Sequence, residues 1–396
     1  MGSLPLGDSP SSAKRKGGDR RLTEGKGTNK EIKKKNRNRI FRYVSRTGRS
    51  SNPAIAYALQ MSLPTVLQNT RELKKTGVLY DAGELESTGG RKANTVDVVA
   101  DFRYAIGIDI TRNHVVIVLT NLIGANLDRE RFFMPYRDDE DYYNRLRELL
   151  ESFVERNKAD RKRILGVGIS IPGIVNYDTQ KIDYSHVLGL KQFPLKRISA
   201  HIPYRTWFVN DANAGAFAEG FQTADEDHFF YLSLNNTVGG GFYDRNRLLY
   251  GDHYRCGEVG HMTAYPGGRK CYCGKLGCAD SYLSALRLAE LEDGNLELFF
   301  EKLKQGSQKE TERWKDYVGH LALVINNVHM ILDFDMVIGG YVGSAMGDYI
   351  DDIRREVAQM DIFGQDASFV RACSYKISES AFGAALHEIE GFVKDI

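Results

Sequence analysis

One histidine and three cysteines lie close enough in the sequence to bind a single metal ion. His261 precedes Cys271, Cys273 and Cys278, and the cysteines follow a C-x-C-x4-C pattern. Thiolates and an imidazole are preferred zinc ligands, and four of them complete a tetrahedral shell. Since no coordination position then stays open for a substrate, we predict a structural Zn²⁺ in the loop 261–278. The alternative is a set of free thiols that are near one another only in sequence.

Composition limits the class of protein and its compartment. The chain has 396 residues, 42% hydrophobic and 27% charged, which suits two or three globular domains. No apolar run approaches the ~20 residues of a membrane span, and the basic N-terminus lacks the apolar core of a signal peptide. Five cysteines, four of them between residues 256 and 278, are unlike a secreted disulfide framework. We therefore predict a cytoplasmic protein with reduced thiols, in which Cys256 and Cys373 are ordinary cysteines.

The charge is distributed unevenly along the chain. Residues 1–100 hold 20 Lys and Arg against 9 Asp and Glu, a net +11, so the overall +2 leaves −9 for the remainder. A basic head on an acidic body predicts a polyanion-binding module with double-stranded DNA as its partner. The alternative is a solvated basic tail. Residues 1–27 are rich in Gly, Ser, Lys and Arg and are predicted to be a disordered tail.

Residues 28–100 carry the pattern of a winged helix-turn-helix domain. A first helix is predicted from about residue 28 to Gly48, a second over 53–59 after an Asn52 N-cap, and a third from the Ser62 N-cap to Gly77. Two strands, 78–80 and 95–99, follow the third helix, which is the element order of a winged helix. The alternative is a three-helix protein-interaction module. The apolar stripe predicted for the first helix comprises Ile32, Ile40, Phe41 and Val44.

The third helix is the predicted recognition helix. Its period of 3.6 residues predicts an apolar inner face of Leu63, Val66, Leu67, Thr70 and Leu73. The residues expected to face the major groove of DNA are Thr65, Gln68, Asn69 and Arg71. Arg91 and Lys92 follow the glycine pair 89–90 at the tip of the wing, and Arg91 could enter a minor groove.

Residues 101–396 contain two similar sets of strands and helices. The first set has strands at 104–110, 115–120 and 126–134, a helix over 140–158, and a buried strand at 164–171. The second set begins at 229–234 and includes a helix over 314–332 and a strand at 336–338. The β-β-β-α-β order predicts α/β lobes with mixed sheets. Its repetition predicts an actin-like or hexokinase-like (ribonuclease H-like) pair of lobes with a cleft between them.

Six segments of this body resemble the ROK family (repressor, open reading frame, kinase), and the resemblance covers nearly all of residues 30–390. The cysteine run and the Gly-Glu-x-Gly-His motif are the most specific of them. A winged helix that ends in Gly-Gly-Arg resembles the family's transcriptional regulators, including its sugar repressors. The six segments are Gly107–Asp109, Ser170–Gly173, Asn210–Asn213, Gly257–His261, the cysteine run from Cys271 to Cys278, and Val337–Gly340.

The resemblance implies a sugar pocket that the zinc loop orients. Carboxylates accept hydroxyl protons, and an amide both donates and accepts, so such a set could read the stereochemistry of a polyol. His261 could serve both sites if one ring nitrogen binds zinc and the other faces the sugar. The family usually has Glu where this chain has Asp280. The alternative is that these are ordinary surface groups. The residues implied to bind sugar are Asn210, Asp211, Glu258, His261 and Asp280.

The chain departs from the family's kinases in both phosphate-binding loops. Kinase members follow the Asp109 position with Gly-Gly-Thr, whereas this chain has Ile-Thr-Arg-Asn at 110–113. Their second loop reads Gly-Thr-Gly before a glycine triplet, whereas residues 235–239 read Asn-Asn-Thr-Val-Gly. Phosphoryl transfer needs backbone N–H groups close to the nucleotide phosphates, and bulky residues block that approach.

The sequence therefore predicts a non-enzymatic, sugar-responsive regulator of transcription, most simply a repressor of carbohydrate-utilisation genes. Its partners would be an operator DNA, a sugar or sugar phosphate effector, and a second copy of the chain, because paired half-sites need a two-fold partner. One alternative is an ATP-dependent sugar kinase that carries a DNA-binding head, in which Asp211 would be the general base. Another is a constitutive regulator with a vestigial pocket.

Overall fold

The structure is a computed structural model that describes residues 28–84, 94–221, 223, 227–363, 366–375 and 378–396. The tail predicted over 1–27 lies outside the described residues, as do Arg91 and Lys92 at the predicted wing tip. Among the helices that are described, none combines the length and the apolar character that crossing a membrane requires.

The N-terminal elements form three helices and a small antiparallel sheet. A capping box begins the first helix: the Thr28 side chain accepts from the Glu31 N–H at 3.3 Å, and the Glu31 carboxylate accepts from the Thr28 N–H at 2.6 Å. The strand order is β1-β3-β2. The elements are α1 (Asn29–Thr47), β1 (Ser50–Ser51), α2 (Asn52–Leu59), α3 (Leu63–Lys75), β2 (Leu79–Glu84) and β3 (Asn94–Val98).

The second helix begins one residue earlier than predicted. Its N-cap is Ser51, whose side chain accepts from the Ala54 N–H, and Asn52 is already helical. A serine hydroxyl is as good a cap as an asparagine amide, so the sequence did not distinguish the two positions. Ile32, predicted in the apolar stripe of α1, is half exposed because it lies in the first turn, beyond the packed part of the helix.

The predicted faces of α3 need three corrections. Asn69, expected to face DNA, is 3% exposed, and its amide donates to the Thr65 carbonyl oxygen at 2.7 Å. Leu63 and Leu67, expected inside, are 41% and 44% exposed. Val66, Asn69, Thr70 and Leu73 form the buried face, and Leu67 lies about 100° around the helix from Val66, at the edge of that face. Leu63 is exposed because it is the first residue of the helix.

Each lobe is built on a five-stranded mixed sheet. The first sheet has the order β11-β7-β4-β5-β6 and the second has the order β14-β13-β12-β15-β16. Numbered within its own lobe, each sheet reads 3-2-1-4-5, with the first three strands antiparallel and the last two parallel to the first. The two predicted lobes are therefore duplicates of one topology.

The first lobe closely matches the predicted elements, and two of its strands have the predicted bounds. It also contains a small antiparallel sheet of order β10-β9-β8 that the sequence analysis did not predict. The elements are β4 (Tyr104–Ile110), β5 (His114–Asn121), β6 (Asn126–Phe133), α4 (Glu140–Arg156), β7 (Ile164–Ile171), β8 (Ile174–Asn176), β9 (Lys181–Ser185), β10 (Leu190–Pro194), α5 (Lys196–Ser199), β11 (Thr206–Asn210) and α6 (Asp211–Phe221).

The second lobe follows α6. Its long helix α10 begins six residues before the predicted start, because its first two turns are mostly polar and carry little apolar periodicity. The elements are β12 (His228–Leu234), β13 (Val238–Asp244), β14 (Arg247–Leu249), α7 (Asp280–Leu283), α8 (Leu286–Ala289), α9 (Leu296–Lys304), α10 (Gln308–Leu332), β15 (Asp335–Gly339), α11 (Gly340–Gly343), α12 (Ile350–Met360), β16 (Val370–Ala372) and α13 (Glu379–Asp395).

Helix α13 returns from the second lobe and packs against the first. It contacts β4, β7 and α6, and one continuous apolar core joins it to the N-terminal helices. Gly383 makes this packing close: a Cβ there would lie 1.8 Å from the Ala214 carbonyl oxygen of α6. Gly391, on the same helix, has open space at its Cβ position.

We expect Gly383→Ala to lower the free energy of unfolding by about 2–3 kcal/mol, because α13 must move away from the α6 backbone. Gly391→Ala is the matched control, and it should leave stability unchanged or raise it by up to about 1 kcal/mol. Melting temperatures of the two variants measure the difference. Equal melting temperatures would contradict the close packing of α13 on α6.

Candidate functional site

A chamber opens between the two lobes, with a volume of about 740 Å³ including its open mouth. Its wall is built from the ends of β7 and β11, the turn between β12 and β13, the small sheet and the segment that carries the Gly-Glu-x-Gly-His motif. The lining residues used below are Asn210, Asp211, Glu258, His261, Tyr272 and His186. Four of the five residues implied to bind sugar, Asn210, Asp211, Glu258 and His261, line this chamber, and Asp280 does not.

Asn210 lies at the junction of β11 and α6 and links two parts of the chamber wall, Gly173 and Asp211. Its amide nitrogen donates to the Gly173 carbonyl and to the Asp211 carboxylate, each at 3.0 Å. Its Oδ1 accepts from the Ala212 and Asn213 N–H groups and so caps α6. Because both amide hydrogens and both acceptor positions are engaged within the protein, Asn210 fixes the position of Asp211.

Asp211 is the first residue of α6 and faces the chamber. Burial raises the pKa of its carboxyl to about 6, although the Asn210 amide and nearby backbone N–H groups favour the ionised form. Ser380, in the first turn of α13, donates to the Asp211 carbonyl at 3.2 Å. The N-termini of α6 and α13 therefore meet at this residue.

Glu258 and Asp280 are carboxyl groups on the second-lobe side. Burial raises the pKa of Glu258, and the charges of Asp211 and Asp280 raise it further. Asp280 is buried, and its carboxylate accepts from the Val238 N–H at 2.7 Å, so it holds the β13 end of the chamber wall. Asp280 thus acts on the chamber through Val238, which lines it.

The histidine and the three cysteines come together as predicted. The potential ligand atoms of His261, Cys271, Cys273 and Cys278 all lie within 4.8 Å of one another. The Cys273 and Cys278 sulfur atoms are 3.7 Å apart, and the Cys271 sulfur is 3.9 Å from Nδ1 of His261. Tetrahedral Zn²⁺ with Zn–S bonds of ~2.3 Å requires S–S distances of roughly 3.8 Å, so the group could hold such an ion.

The other nitrogen of His261 faces an aromatic residue of the same loop. Its Nε2 lies 3.2 Å from the Tyr272 hydroxyl, and the Tyr272 ring stacks on His186 with centroids 4.0 Å apart. Both rings line the chamber. The sequence analysis missed Tyr272 because it sits between two cysteines, and it missed His186 because no motif marks the β9–β10 connection.

A second group of carboxyls lies beside the chamber. Asp109, near the end of β4, accepts from the Ser170 hydroxyl at 2.8 Å. Burial raises its pKa to about 7, and the charges of Asp211 and Glu379 contribute. Burial likewise raises the pKa of Glu379, the first residue of α13, to about 7. Burial raises the pKa of the Tyr341 phenol, and the charges of Asp109 and Glu379 raise it further. Tyr341 therefore lies near this group.

The departures from the kinase phosphate loops have structural consequences. The Asn235 side chain accepts from the Tyr341 N–H at 2.8 Å. That N–H belongs to the first turn of α11, next to the glycine pair 339–340. A glycine at position 235 would leave the N–H free, whereas Asn235 occupies it.

Comparison with known proteins establishes the family. The sequence model described as "ROK family" matches residues 105–388, which is 284 of the 396 residues. The chain belongs to the ROK family. The match spans both lobes and includes the cysteine run of the second lobe.

Named relatives and solved structures agree with this placement. The xylose repressor of Caldicellulosiruptor bescii is 29% identical over 67% of this chain and 66% of its own length. The DNA-binding transcriptional dual regulator NagC of Escherichia coli is 27% identical over 70% of this chain and 67% of its own length.

Two crystal structures show the same fold. A ROK family transcriptional regulator, a homologue of E. coli MLC, superposes with a TM-score of 0.71, 21% identity, and coverage of 92% of this chain and 97% of its own. A ROK family glucokinase of Streptomyces griseus, solved with glucose and AMPPNP, superposes with a TM-score of 0.62 and 22% identity. The superposition covers 72% of this chain and 98% of the glucokinase chain. The first likeness extends over the N-terminal helices, and the predicted two-lobed, actin-like fold is confirmed.

The raised pKa of Glu379 predicts a pH-dependent stability. Its folded pKa of about 7 exceeds the unfolded value of 4.5, so the folded state holds the extra proton between these pH values and stability falls as pH rises through this window. Glu379→Gln removes the ionisation. We expect its melting temperature to match the wild type near pH 4.5 and to exceed it at pH 8, by a stabilisation on the order of 1–3 kcal/mol.

Glu148→Gln, at an exposed carboxylate that pairs with Arg145 on α4, is the control and should show no such pH-dependent gain. Melting temperatures of the three proteins across pH 4.5–8 test the assignment. A Glu379→Gln variant that loses stability equally at both ends of the range would show that the carboxylate, and not the acid, is the favoured form.

Proposed function

We propose that this protein is a sugar-responsive, DNA-binding transcriptional regulator, most simply a repressor of carbohydrate-utilisation genes. The observation that carries the proposal is that one continuous apolar core joins the three N-terminal helices and their small sheet to a ROK fold whose chamber is lined by Asp211 and Glu258. Relatives named as xylose and N-acetylglucosamine regulators support it. In this proposal the cleft is the sensor and the N-terminal elements are the DNA reader.

The DNA-reading surface centres on α3. Gln68 and Arg71 are exposed there, and Thr65 is half-buried with its hydroxyl 2.8 Å from that of Ser62. Amide and guanidinium groups suit base edges and phosphates in a major groove. The exposed leucines, Leu63 and Leu67, add apolar groups of the kind that contact thymine methyls. We retain Arg91 and Lys92 as proposed contacts of the wing, with Arg91 in the minor groove.

The proposed sugar-binding surface is the chamber between the two lobes. Asp211 and Glu258 would accept hydroxyl protons, and His261 with Tyr272 would contact the same ring. Asn210 and Asp280 belong to the set as residues that hold Asp211 and Val238 in place. A structural Zn²⁺ on His261 and the three cysteines would fix the orientation of the imidazole and of Tyr272.

We infer that the cleft senses a sugar without phosphorylating it. Asp211, with a pKa of about 6, is placed as a general base would be, which is the observation that keeps an ATP-dependent kinase as the second candidate. Against it, Asn235 occupies a backbone N–H that a phosphate would need, and bulky residues follow Asp109.

Helix α13 offers a route from the cleft to the DNA reader. Its first residue, Glu379, lies beside Asp109 and Asp211. Near its other end, Glu390 accepts from Arg42 of α1 at 2.6 Å, with the side chains 2% and 11% exposed. A sugar that favours one lobe angle would thereby bias the position of α1. In a homodimer this would change the spacing of the two recognition helices.

Sugar-dependent DNA binding tests the proposal. A duplex selected from random DNA by the wild-type protein serves as the probe, and fluorescence anisotropy measures its affinity across a panel of sugars. We expect at least one sugar to change the affinity several-fold. Arg71→Ala should weaken DNA binding by about tenfold, and should reduce by about one the slope of log affinity against log salt concentration. Arg355→Ala, on α12 of the second lobe, is the control and should change neither the affinity nor the slope.

Failure to select any duplex, or a DNA affinity that no sugar alters, would contradict the regulator. Release of ADP from ATP in the presence of any panel sugar would instead favour the kinase.

Metal analysis tests the zinc proposal. The purified protein should contain about one Zn²⁺ per chain, since the four ligand groups form one site. Cys278→Ser should lose the metal and lower the melting temperature. Cys256→Ser removes a cysteine outside the ligand group. It is the control, and it should keep the metal content and the melting temperature of the wild type. A wild-type protein that holds no zinc after expression in zinc-containing medium would refute the assignment.

A further inference from the structure

A second, smaller chamber continues from the larger one. The two share Gly173, Asn210, Gly239 and Glu258 in their walls. The small chamber is narrow, with an empty core about the size of one water molecule or one hydroxyl group. Its remaining lining residues are Val175, Tyr177, Asn213, Gly240, Tyr250, Tyr254 and Cys256.

Asn213 gives this small chamber an unused polar group. The residue is 7% exposed, and its Oδ1 is buried with no hydrogen-bond partner among the described residues. Leaving a buried polar atom without a partner is unfavourable, and a bound hydroxyl would remove that penalty. A hydroxyl both donates and accepts, so it can pair with a carboxamide in either orientation of the amide.

The aromatic walls of the small chamber are firmly held. The Tyr177 hydroxyl donates to the Phe208 carbonyl at 2.9 Å. The Tyr177 ring contacts those of Tyr250 and Tyr254 edge to face, with centroids 5.1 and 5.5 Å apart, and lies parallel to Trp207. A group much larger than a hydroxyl, such as a phosphoryl group with its three terminal oxygens, would have to disrupt this cluster.

The charge in both chambers is unfavourable to an anion. The residues that line them include the acids Asp211 and Glu258, and, in the part of the chain that the structure describes, no lysine or arginine. Arg255 lies near enough for its charge to lower the pKa of Glu258, but burial and the charge of Asp211 raise that pKa by more. The Arg255 side chain is exposed and lines neither chamber. A phosphate dianion here would face two acids without a cation to pair with.

We propose that the effector is an unphosphorylated sugar, and that one of its hydroxyls enters the small chamber and pairs with Asn213. This proposal rests on the sugar-responsive function and specifies its ligand class. The ring would lie in the larger chamber against Asp211 and Glu258, and a single substituent would pass between Asn210 and Glu258.

Calorimetric titration with matched pairs of probes tests the ligand class. The probes are D-glucose, D-mannose and N-acetyl-D-glucosamine, each with its 6-phosphate, and D-xylose as a pentose. We expect one or more free sugars to bind, and the phosphate of any that binds to be at least tenfold weaker. Tighter binding of a 6-phosphate than of its free sugar would overturn the proposal while leaving a sugar-responsive regulator intact. Binding of no probe would refute the sugar-responsive function itself.

A second titration tests the role of Asn213. Asn213→Ala should weaken the best-binding sugar by about tenfold, with a melting temperature that confirms folding. The same variant should not affect binding of one deoxy analogue of that sugar, the analogue that lacks the hydroxyl held in the small chamber. Asn113→Ala, in the exposed β4–β5 turn, is the control and should leave every affinity unchanged. If Asn213→Ala weakens all deoxy analogues equally, or none of the sugars, Asn213 does not bind the ligand.

Discussion

Close backbone contact along α13 is the constraint on which the cleft depends. Cβ atoms at Gly107 of β4 and Gly168 of β7 would lie 1.8 and 2.0 Å from carbonyl oxygens of α13, so only glycine allows the helix to rest on the sheet. Gly383 allows the same approach to α6. With α13 seated on both, the first turns of α6 and α13 converge. Asp211 and Glu379 are thereby brought to one wall without a long loop to position them.

Helix α13 contacts three parts of the molecule that are far apart in sequence. Its N-terminus lies at the cleft, Glu388 in its middle pairs with Arg205 before β11, and Glu390 pairs with Arg42 of α1. Glu390 is 2% exposed, so an unpaired carboxylate there would be costly, and its pair with Arg42 holds the N-terminal helices against the lobe. A rigid element with packed contacts at both ends transmits a change in lobe angle more directly than a flexible linker would.

Local patterns predicted the elements better than they predicted which side chains face a ligand. Apolar runs identified β4 and β7 to the residue, since both are mostly buried strands with turn signals at their ends. The metal group was predictable because its four ligands lie within eighteen residues. Asn69 and Leu67 were assigned to the wrong faces because a residue or two of helical phase decides burial. The contacts by which Asn210 holds Asp211 in place were not predictable, because one of its four hydrogen bonds is to the Gly173 carbonyl, which is distant in sequence.

The chemistry of the cleft follows from which groups were lost and which remain buried. A nucleotide-binding cleft spreads phosphate charge over backbone N–H groups, and here the Tyr341 N–H beside the glycine pair 339–340 is already bonded to Asn235. Burial raises the pKa of Asp211 to about 6 and that of Asp109 to about 7, so these carboxyls are harder to ionise than in water. Hydroxyl donors stabilise such carboxylates without adding charge, and a polyol brings several on one rigid ring. An anionic ligand would instead raise the cost of ionising the same groups. In the proposed function, the groups that would disfavour ATP would therefore also favour a neutral sugar.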